Sequence, residues 1–214
     1  MIKMIPAAPD RIFRQLDNDE IRDWYSRELA EAFAENERKP LGDIYSLIQQ
    51  DRYEIWGLFG RGTDMPGGTE GGTGCALIGY AALWKRPGIP LVLLDYLGVT
   101  AALRNGGTGS EILKLLKDLN VPIVAESETP VAGDSEEANS IRRRRIAFYE
   151  RNGFAPAYEM ATCGMRWKAL TANTGGRAMS EVMRMHRELY GPERTDVKVP
   201  LGPDETPEMP YWMK

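Results

Sequence analysis

One stretch restricts what this chain can fold into more than any other: Leu91-Val-Leu-Leu-Asp-Tyr-Leu-Gly-Val99, followed closely by Arg104-Asn-Gly-Gly-Thr-Gly-Ser110. Leu91 to Val99 is nearly continuous in apolar and aromatic residues, which predicts a strand buried on both faces. Beyond the glycine-rich segment, Ile112, Leu113, Leu115, Leu116 and Leu119 recur at helical spacing. A strand feeding a glycine-rich turn at a helix N-terminus makes an anion site. Unpaired backbone N–H groups converge there, the helix dipole adds roughly half a positive charge, and missing side chains let a phosphate approach.

The rest of the chain arranges itself around that unit. Arg11 to Leu16 reads as a strand with Ile12 and Leu16 on one face and Phe13 on the other. Asp17 to Asp19 supplies turn and cap residues. Ile21, Trp24, Tyr25, Leu29 and Phe33 predict an amphipathic helix over 20–34, and Leu41, Ile44, Leu47 and Ile48 a second, short one. Strands are expected at Tyr53 to Phe59 and Cys75 to Trp84, joined by a mobile glycine-rich loop from Gly60 to Gly74. That loop holds Gly71-Gly-Thr-Gly74, the same four residues as Gly106-Gly-Thr-Gly109. Only the second copy opens a helix, so only it is expected to bind phosphate. Val121 to Ser127 predicts a strand, Glu136 to Arg151 a helix, Ala161 to Ala169 a closing strand and 171–190 a last helix. From Gly191 onward five prolines favour an extended tail ending in Tyr211-Trp-Met, expected to pack on the domain or on a neighbouring subunit of a homodimer.

Two motifs carry a family resemblance. Arg104-x-x-Gly107-x-Gly109 after an apolar strand resembles the acyl-coenzyme A pyrophosphate loop of the GNAT N-acetyltransferase superfamily. Phe148-Tyr-Glu-Arg-Asn-Gly-Phe154 resembles that family's second motif, in the right order and about forty residues downstream. The resemblance covers roughly residues 11 to 170. It implies an α/β (α+β) fold: a mixed, mostly antiparallel twisted sheet, flanked by helices and splayed where the Leu91–Val99 and Val121–Ser127 strands meet. It divides the chain into an acetyltransferase domain over 1–170 and a C-terminal helix with a proline-rich tail over 171–214. Acetyl-coenzyme A is implied as cosubstrate, held by Leu97, Gly98, Val99, Arg104, Asn105, Gly106, Gly107, Thr108, Gly109 and Ser110. The implied reaction is direct acetyl transfer to a primary amine of a small molecule or peptide. A non-catalytic acyl-coenzyme A sensor or scaffold is the alternative.

Such a transfer needs a neutral nucleophile and a proton for the departing thiolate. Tyr149, four residues before Gly153, matches the position of the family's general-acid tyrosine; otherwise it is a core aromatic between Phe148 and Phe154. Glu126 is an isolated carboxylate on an apolar strand. Ribosomal-protein alanine acetyltransferases carry a base glutamate on a similar strand, although Ala125-Glu126-Ser127 matches only the glutamate. It is either a base or amine ligand, or the partner of one of Arg142 to Arg145. Asp95 either contacts the amine or pairs with an arginine. Glu37 is either an acceptor-site carboxylate or a solvated loop charge, and His186 reads as a packed or surface histidine.

Composition narrows the rest. A net charge of −4 and a pI near 5.3 argue against a general nucleic-acid binder or an anionic-membrane binder. No apolar run reaches spanning length and no signal-peptide core opens the chain, so a cytoplasmic protein is expected. Cys75 and Cys163 read as buried free thiols. They and the single histidine give no zinc spacing, so no metal is expected.

Overall fold

The computed structural model describes residues 4–6, 11–61 and 75–210. Eight strands and several helices follow in chain order: β1 Met4–Pro6, β2 Arg11–Gln15, α1 Asn18–Trp24, a π-helical turn Tyr25–Leu29, α2 Ala30–Ala32, α3 Leu41–Gln49, β3 Tyr53–Arg61, β4 Cys75–Arg86 and β5 Ile89–Val99. The second half supplies α4 Thr108–Lys117, β6 Ile123–Glu128, α5 Glu136–Arg151, β7 Ala155–Thr162, β8 Met165–Ala172 and α6 Met179–Tyr190. The sheet is mixed and mostly antiparallel, as the motifs imply. Contacts gather the chain into two compact units, Met1–Trp84 with Leu94–Leu119 and Lys85–Leu93 with Asn120–Lys214.

In the first unit the strand order is β1-β2-β3-β4, followed by the C-terminal half of β5. β1 to β4 pair antiparallel in succession. Helix α1 starts on a capping box: the Asp17 carboxylate accepts the Asp19 and Glu20 N–H groups, and Glu20 returns to the Asp17 N–H. Its apolar stripe buries Ile21 and Trp24, and the π-helical turn carries Leu29 into the same core. Phe13 and Trp56 stack on the opposite face of the sheet, with ring centroids 5.2 Å apart. Both faces of β2 reach a core: Phe13 is buried on one and Leu16 on the other, where Ile12 is exposed. The pairing Phe13↔Leu58 fixes the register.

In the second unit the N-terminal half of β5 is followed by β6, β8 and β7. Val92 N–H donates to the Pro122 carbonyl at the start of this pairing (3.0 Å). Helix α5 spans the predicted residues, capped by the Ser135 hydroxyl on the Ala138 N–H. The expected single strand over 161–169 is instead the β7–β8 hairpin, closed by Cys163 and Gly164 with φ of 52° and 74°. Two consecutive positive φ values make a tight hairpin turn, and cysteine is not a residue that advertises one. The last helix begins at Met179 rather than 171, because Thr171 and Ala172 complete β8 and Gly175 and Gly176 break the chain at positive φ.

The tail packs on this second unit. Lys198 and Ala161 exchange two backbone hydrogen bonds of 3.0 Å, and Leu201 N–H donates to the Glu159 carbonyl (2.7 Å). Val197 and Leu201 are buried. The terminal Tyr211-Trp-Met and the Gly71–Gly74 tetrapeptide lie outside the described residues. The two cysteines are not buried as expected: Cys75 is exposed and Cys163 half-buried, both as free thiols.

One buried charge ties the tail to the hairpin. The Asp196 carboxylate is 1% exposed and accepts from Arg194 Nε (2.9 Å) and Nη2 (2.8 Å) and from the Cys163 N–H (2.9 Å). Burial alone would raise its pKa; the Arg194 bonds and the Cys163 N–H outweigh it and hold the group at about 2. A carboxyl depressed in the folded state stabilises above the unfolded value, near 4, and loses that contribution as pH falls toward 2. Urea unfolding between pH 6 and 2.5 should therefore show an acid-side loss of stability that Asp196→Asn flattens.

Candidate functional site

The glycine-rich segment lies in the first unit and has the geometry of an anion cradle. A 3₁₀ turn, Ala101–Leu103, follows β5, and Asn105 and Gly107 take φ of 67° and 86°. Gly107 is the N-cap of α4 and carries no capping side chain. A Cβ placed on Gly107 would meet nothing within 4 Å among the described residues, so the space beside it at the helix end is open there. The first helical bond runs from the Glu111 N–H to the Gly107 carbonyl (3.0 Å). The N–H groups of Thr108, Gly109 and Ser110 precede it and have no acceptor one turn back. Arg104 stands at the rim, its Nε on the Val99 carbonyl (3.3 Å) and Nη2 3.4 Å from Glu31. Both partners of that ion pair are about half exposed, so it is weak and exchangeable.

β5 departs from the expectation of burial on both faces. Leu91, Leu93, Leu94 and Tyr96 are buried, while Asp95, Leu97, Gly98 and Val99 are half-buried. The strand is thus partly open just before the glycine-rich loop. Gly98 owes its identity to Tyr80: a Cβ at 98 would lie 2.2 Å from Tyr80 Cζ. The Tyr80 hydroxyl donates to the Glu28 carbonyl (3.4 Å), and the Thr100 hydroxyl donates to the Glu28 carboxylate (3.1 Å). The π-helical turn is thereby fastened to the loop's starting point.

Asp95 pairs with neither an arginine nor open solvent. Lys39 Nζ bonds both its oxygens, at 2.7 and 2.8 Å, and the Tyr53 hydroxyl donates to Oδ2. Glu37 is exposed and caps its own turn through the Ala34 N–H (3.1 Å).

Tyr149 and Glu126 lie in the second unit. Tyr149 is buried, edge-on to Phe148 and Phe154 at 5.6 Å each. Its hydroxyl makes no hydrogen bond among the described residues. Burial pushes its pKa up to about 12 against the smaller opposing pull of Arg145. Glu126 is not held by an arginine: Arg142 bonds Glu128 (2.9 Å) and Asp134 (2.6 Å) instead. Its Oε1 accepts from Tyr190 (2.7 Å) and lies 2.8 Å from His186 Nε2, and its Oε2 accepts from Tyr190 (2.9 Å). His186 is fully buried, and its Nδ1 lies 2.9 Å from the Tyr158 hydroxyl. Four polar residues from β6, β7 and α6 thus satisfy one another inside an apolar core.

Sequence reasoning missed Lys39, Tyr53 and Tyr190 as partners. Lys39 and Asp95 are 56 positions apart, so no local pattern joins them. Tyr190 does follow His186 by one helical turn, a spacing that puts both on one face. Among the described residues no group of three or more His, Cys, Asp or Glu is arranged to hold a metal. No described helix is long and apolar enough to cross a membrane.

Comparison with known proteins bears on this geometry through structure alone. No family model matches the chain, and no curated protein sequence matches it. Among solved structures, the chain is similar to a protein assigned to the GNAT acetyltransferase family from Bacteroides thetaiotaomicron, with a TM-score of 0.57 and 20% identity over 84% of this chain and 98% of that one. It is also similar to an aminoglycoside 6'-N-acetyltransferase complexed with coenzyme A (TM-score 0.52, 12% identity, 75% and 95% covered). A ribosomal L7/L12 alpha-N-protein acetyltransferase follows at 0.50 and 12% identity, with 79% and 97% covered. The chain has the GNAT fold.

The Glu126 network makes a stability prediction. Glu126→Ala removes the carboxylate that accepts from the buried Tyr190 hydroxyl and lies 2.8 Å from His186 Nε2, at a cost of about 1–3 kcal/mol. Glu126→Gln keeps an acceptor for Tyr190 and should cost less. Urea midpoints of the two variants against wild type measure the difference.

Proposed function

We propose that the protein is an N-acyltransferase that moves an acetyl group from acetyl-coenzyme A directly to a primary amine. The observation that carries this reading is the uncapped, open N-terminus of α4 at Gly107, following β5 in a fold shared with a coenzyme A complex. The residues fit the group. The N–H groups of Gly107 to Ser110 would hold the pyrophosphate, with Asn105 and Gly106 shaping the turn. Arg104 would exchange Glu31 for a phosphate oxygen, and the backbone of Leu97, Gly98 and Val99 would align the pantetheine arm. Acetyl-coenzyme A when bound supplies the thioester carbonyl that the amine attacks.

Tyr149 holds the proton this chemistry needs. Its hydroxyl has no acceptor among the described residues, and with a pKa near 12 it stays neutral throughout the physiological range. In this reading it protonates the departing thiolate. The Glu126 carboxylate was the other candidate, as base. Its engagement by Tyr190 and His186 favours an anchoring role for it, with the acceptor amine losing its proton to water.

Two measurements test the reading. Coenzyme A should raise the melting temperature of the wild type, and Gly107→Val should abolish the shift, because the side chain enters the open space and φ of 86° disfavours it. Gly133→Ala, at an equally open position with φ of 92°, controls for strain and should keep the shift. A shift that survives Gly107→Val sinks the loop assignment. In thiol-release assays with a panel of amines, Tyr149→Phe should lower kcat roughly ten- to a thousandfold with little change in KM for acetyl-coenzyme A. The deficit should stay constant from pH 6 to 10, below the Tyr149 ionisation. A protein that only binds acyl-coenzyme A would show the thermal shift and release no thiol.

A further inference from the structure

The first unit contains an ammonium receptor that is filled by the chain's own lysine. The Asp95 carboxylate meets Lys39 Nζ with both oxygens, at 2.7 and 2.8 Å. The ammonium also lies 4.9 Å from the centroid of the Trp84 ring and 5.6 Å from that of Tyr96. A carboxylate flanked by two aromatic faces is the chemistry that selects an alkylammonium over a neutral or bulky anionic group. The receptor is preorganised independently of its occupant. Tyr53 is buried and donates to Asp95, and burial, reinforced by the Asp95 charge, keeps its phenol protonated. Trp84 is buried on β4 and pairs across the ladder with Tyr53.

The occupant, by contrast, comes from a surface segment. Ala34, Glu35 and Glu37 are exposed, and the Lys39 side chain is 26% exposed. Two hydrogen bonds pin that segment without the Lys39 side chain. The Tyr96 hydroxyl accepts the Lys39 backbone N–H (2.9 Å) and donates to the Glu37 carbonyl (3.0 Å). Removing the lysine side chain therefore leaves the loop's attachments in place.

We propose that this cage is the binding site for the acceptor's primary alkylammonium group, and that Lys39 occupies it as an internal competitor which the acceptor displaces. The proposal rests on the acyltransferase reading for its direction. Along β5 the glycine-rich loop follows the C-terminal end, Leu97 and Val99 come next, and Asp95 lies further back, about 13 Å from Val99 at strand spacing. A bound acyl donor running from loop to strand points its thioester toward the cage. An acceptor must first displace the lysine, so the apparent affinity of the cage is reduced by the fraction of time Lys39 is out of it.

The test titrates full-length protein calorimetrically with n-butylammonium chloride, with n-butanol as the neutral probe and no acetyl-coenzyme A present. Lys39→Ala should bind n-butylammonium about tenfold or more tightly than the wild type, and neither should bind n-butanol. Adding Asp95→Asn to Lys39→Ala should abolish the binding. Should Lys39→Ala not fold, Lys39→Met keeps the apolar stem and removes the charge, and the same comparison applies. Equal affinity in wild type and variant, or binding that survives Asp95→Asn, overturns the proposal and leaves the lysine as a loop anchor. Because coenzyme A is absent, this result is separable from the thermal shift. Ammonium binding without a coenzyme A shift keeps the cage and sinks the enzyme, and the converse sinks only the cage.

Discussion

The contact between the Tyr80 ring and the backbone of Gly98 is the constraint on which the first unit depends. No side chain of any size fits at position 98, since even a Cβ would sit 2.2 Å from the ring. The ring in turn meets Trp24 edge-on at 5.5 Å, and its hydroxyl reaches the Glu28 carbonyl. Through Tyr80 the sheet therefore sets the position of α1 and of the π-helical turn after it. Glu28 then receives the Thr100 hydroxyl, and Thr100 N–H is held by the Ile78 carbonyl at 3.1 Å. The residue that opens the glycine-rich loop is thus located by an unbroken series of contacts from the C-terminal end of β5. Single π-helical turns inside α-helices recur at functional positions because the widened turn re-aims the side chains around it.

Three sequestered carboxylates show how differently a fold can satisfy the same group. An unpaired buried charge is costly, so each has several donors. Asp196 takes a bidentate arginine and a backbone N–H, the strong and geometrically rigid solution, and it locks the tail onto the β7–β8 hairpin. Glu126 takes a tyrosine hydroxyl and an imidazole from one face of α6, which joins that helix to β6. Asp95 takes a buried tyrosine and a lysine from a surface segment. Lysine is a compact charge on a flexible stem, and little besides the ammonium holds it there. Of the three, Asp95 alone has a principal partner that can leave without dismantling a core.

Much of this was legible in the residues. Strand and helix periodicity located β3, β4, β5, α3, α4 and α5 to within a few residues, because these elements bury one consistent face or an unbroken apolar run. The glycines ahead of α4 announced a backbone that needs positive φ and an open helix end, and Gly107 has both. The β7–β8 hairpin was hidden because Cys163 does not look like a turn residue and apolar residues continue on both sides of it.

What the sequence determined by itself was the set of elements with local causes: the capped helices, the apolar strands and the glycine-rich turn, together with the resemblance that identified the fold. What only the tertiary structure decided was the partner of each buried charge. Asp95 was open to an amine or an arginine and received Lys39; Glu126 was open to a base role or the arginines of α5 and received α6. The physical reason is that periodicity and turn chemistry act between neighbours in the chain, whereas a carboxylate accepts from whichever donor the packing brings within 3 Å. Lys39 and Asp95 are 56 residues apart, and Glu126 and Tyr190 are 64. At such separations the sheet order and the helix directions select the donor, and neither is written in any local stretch of sequence.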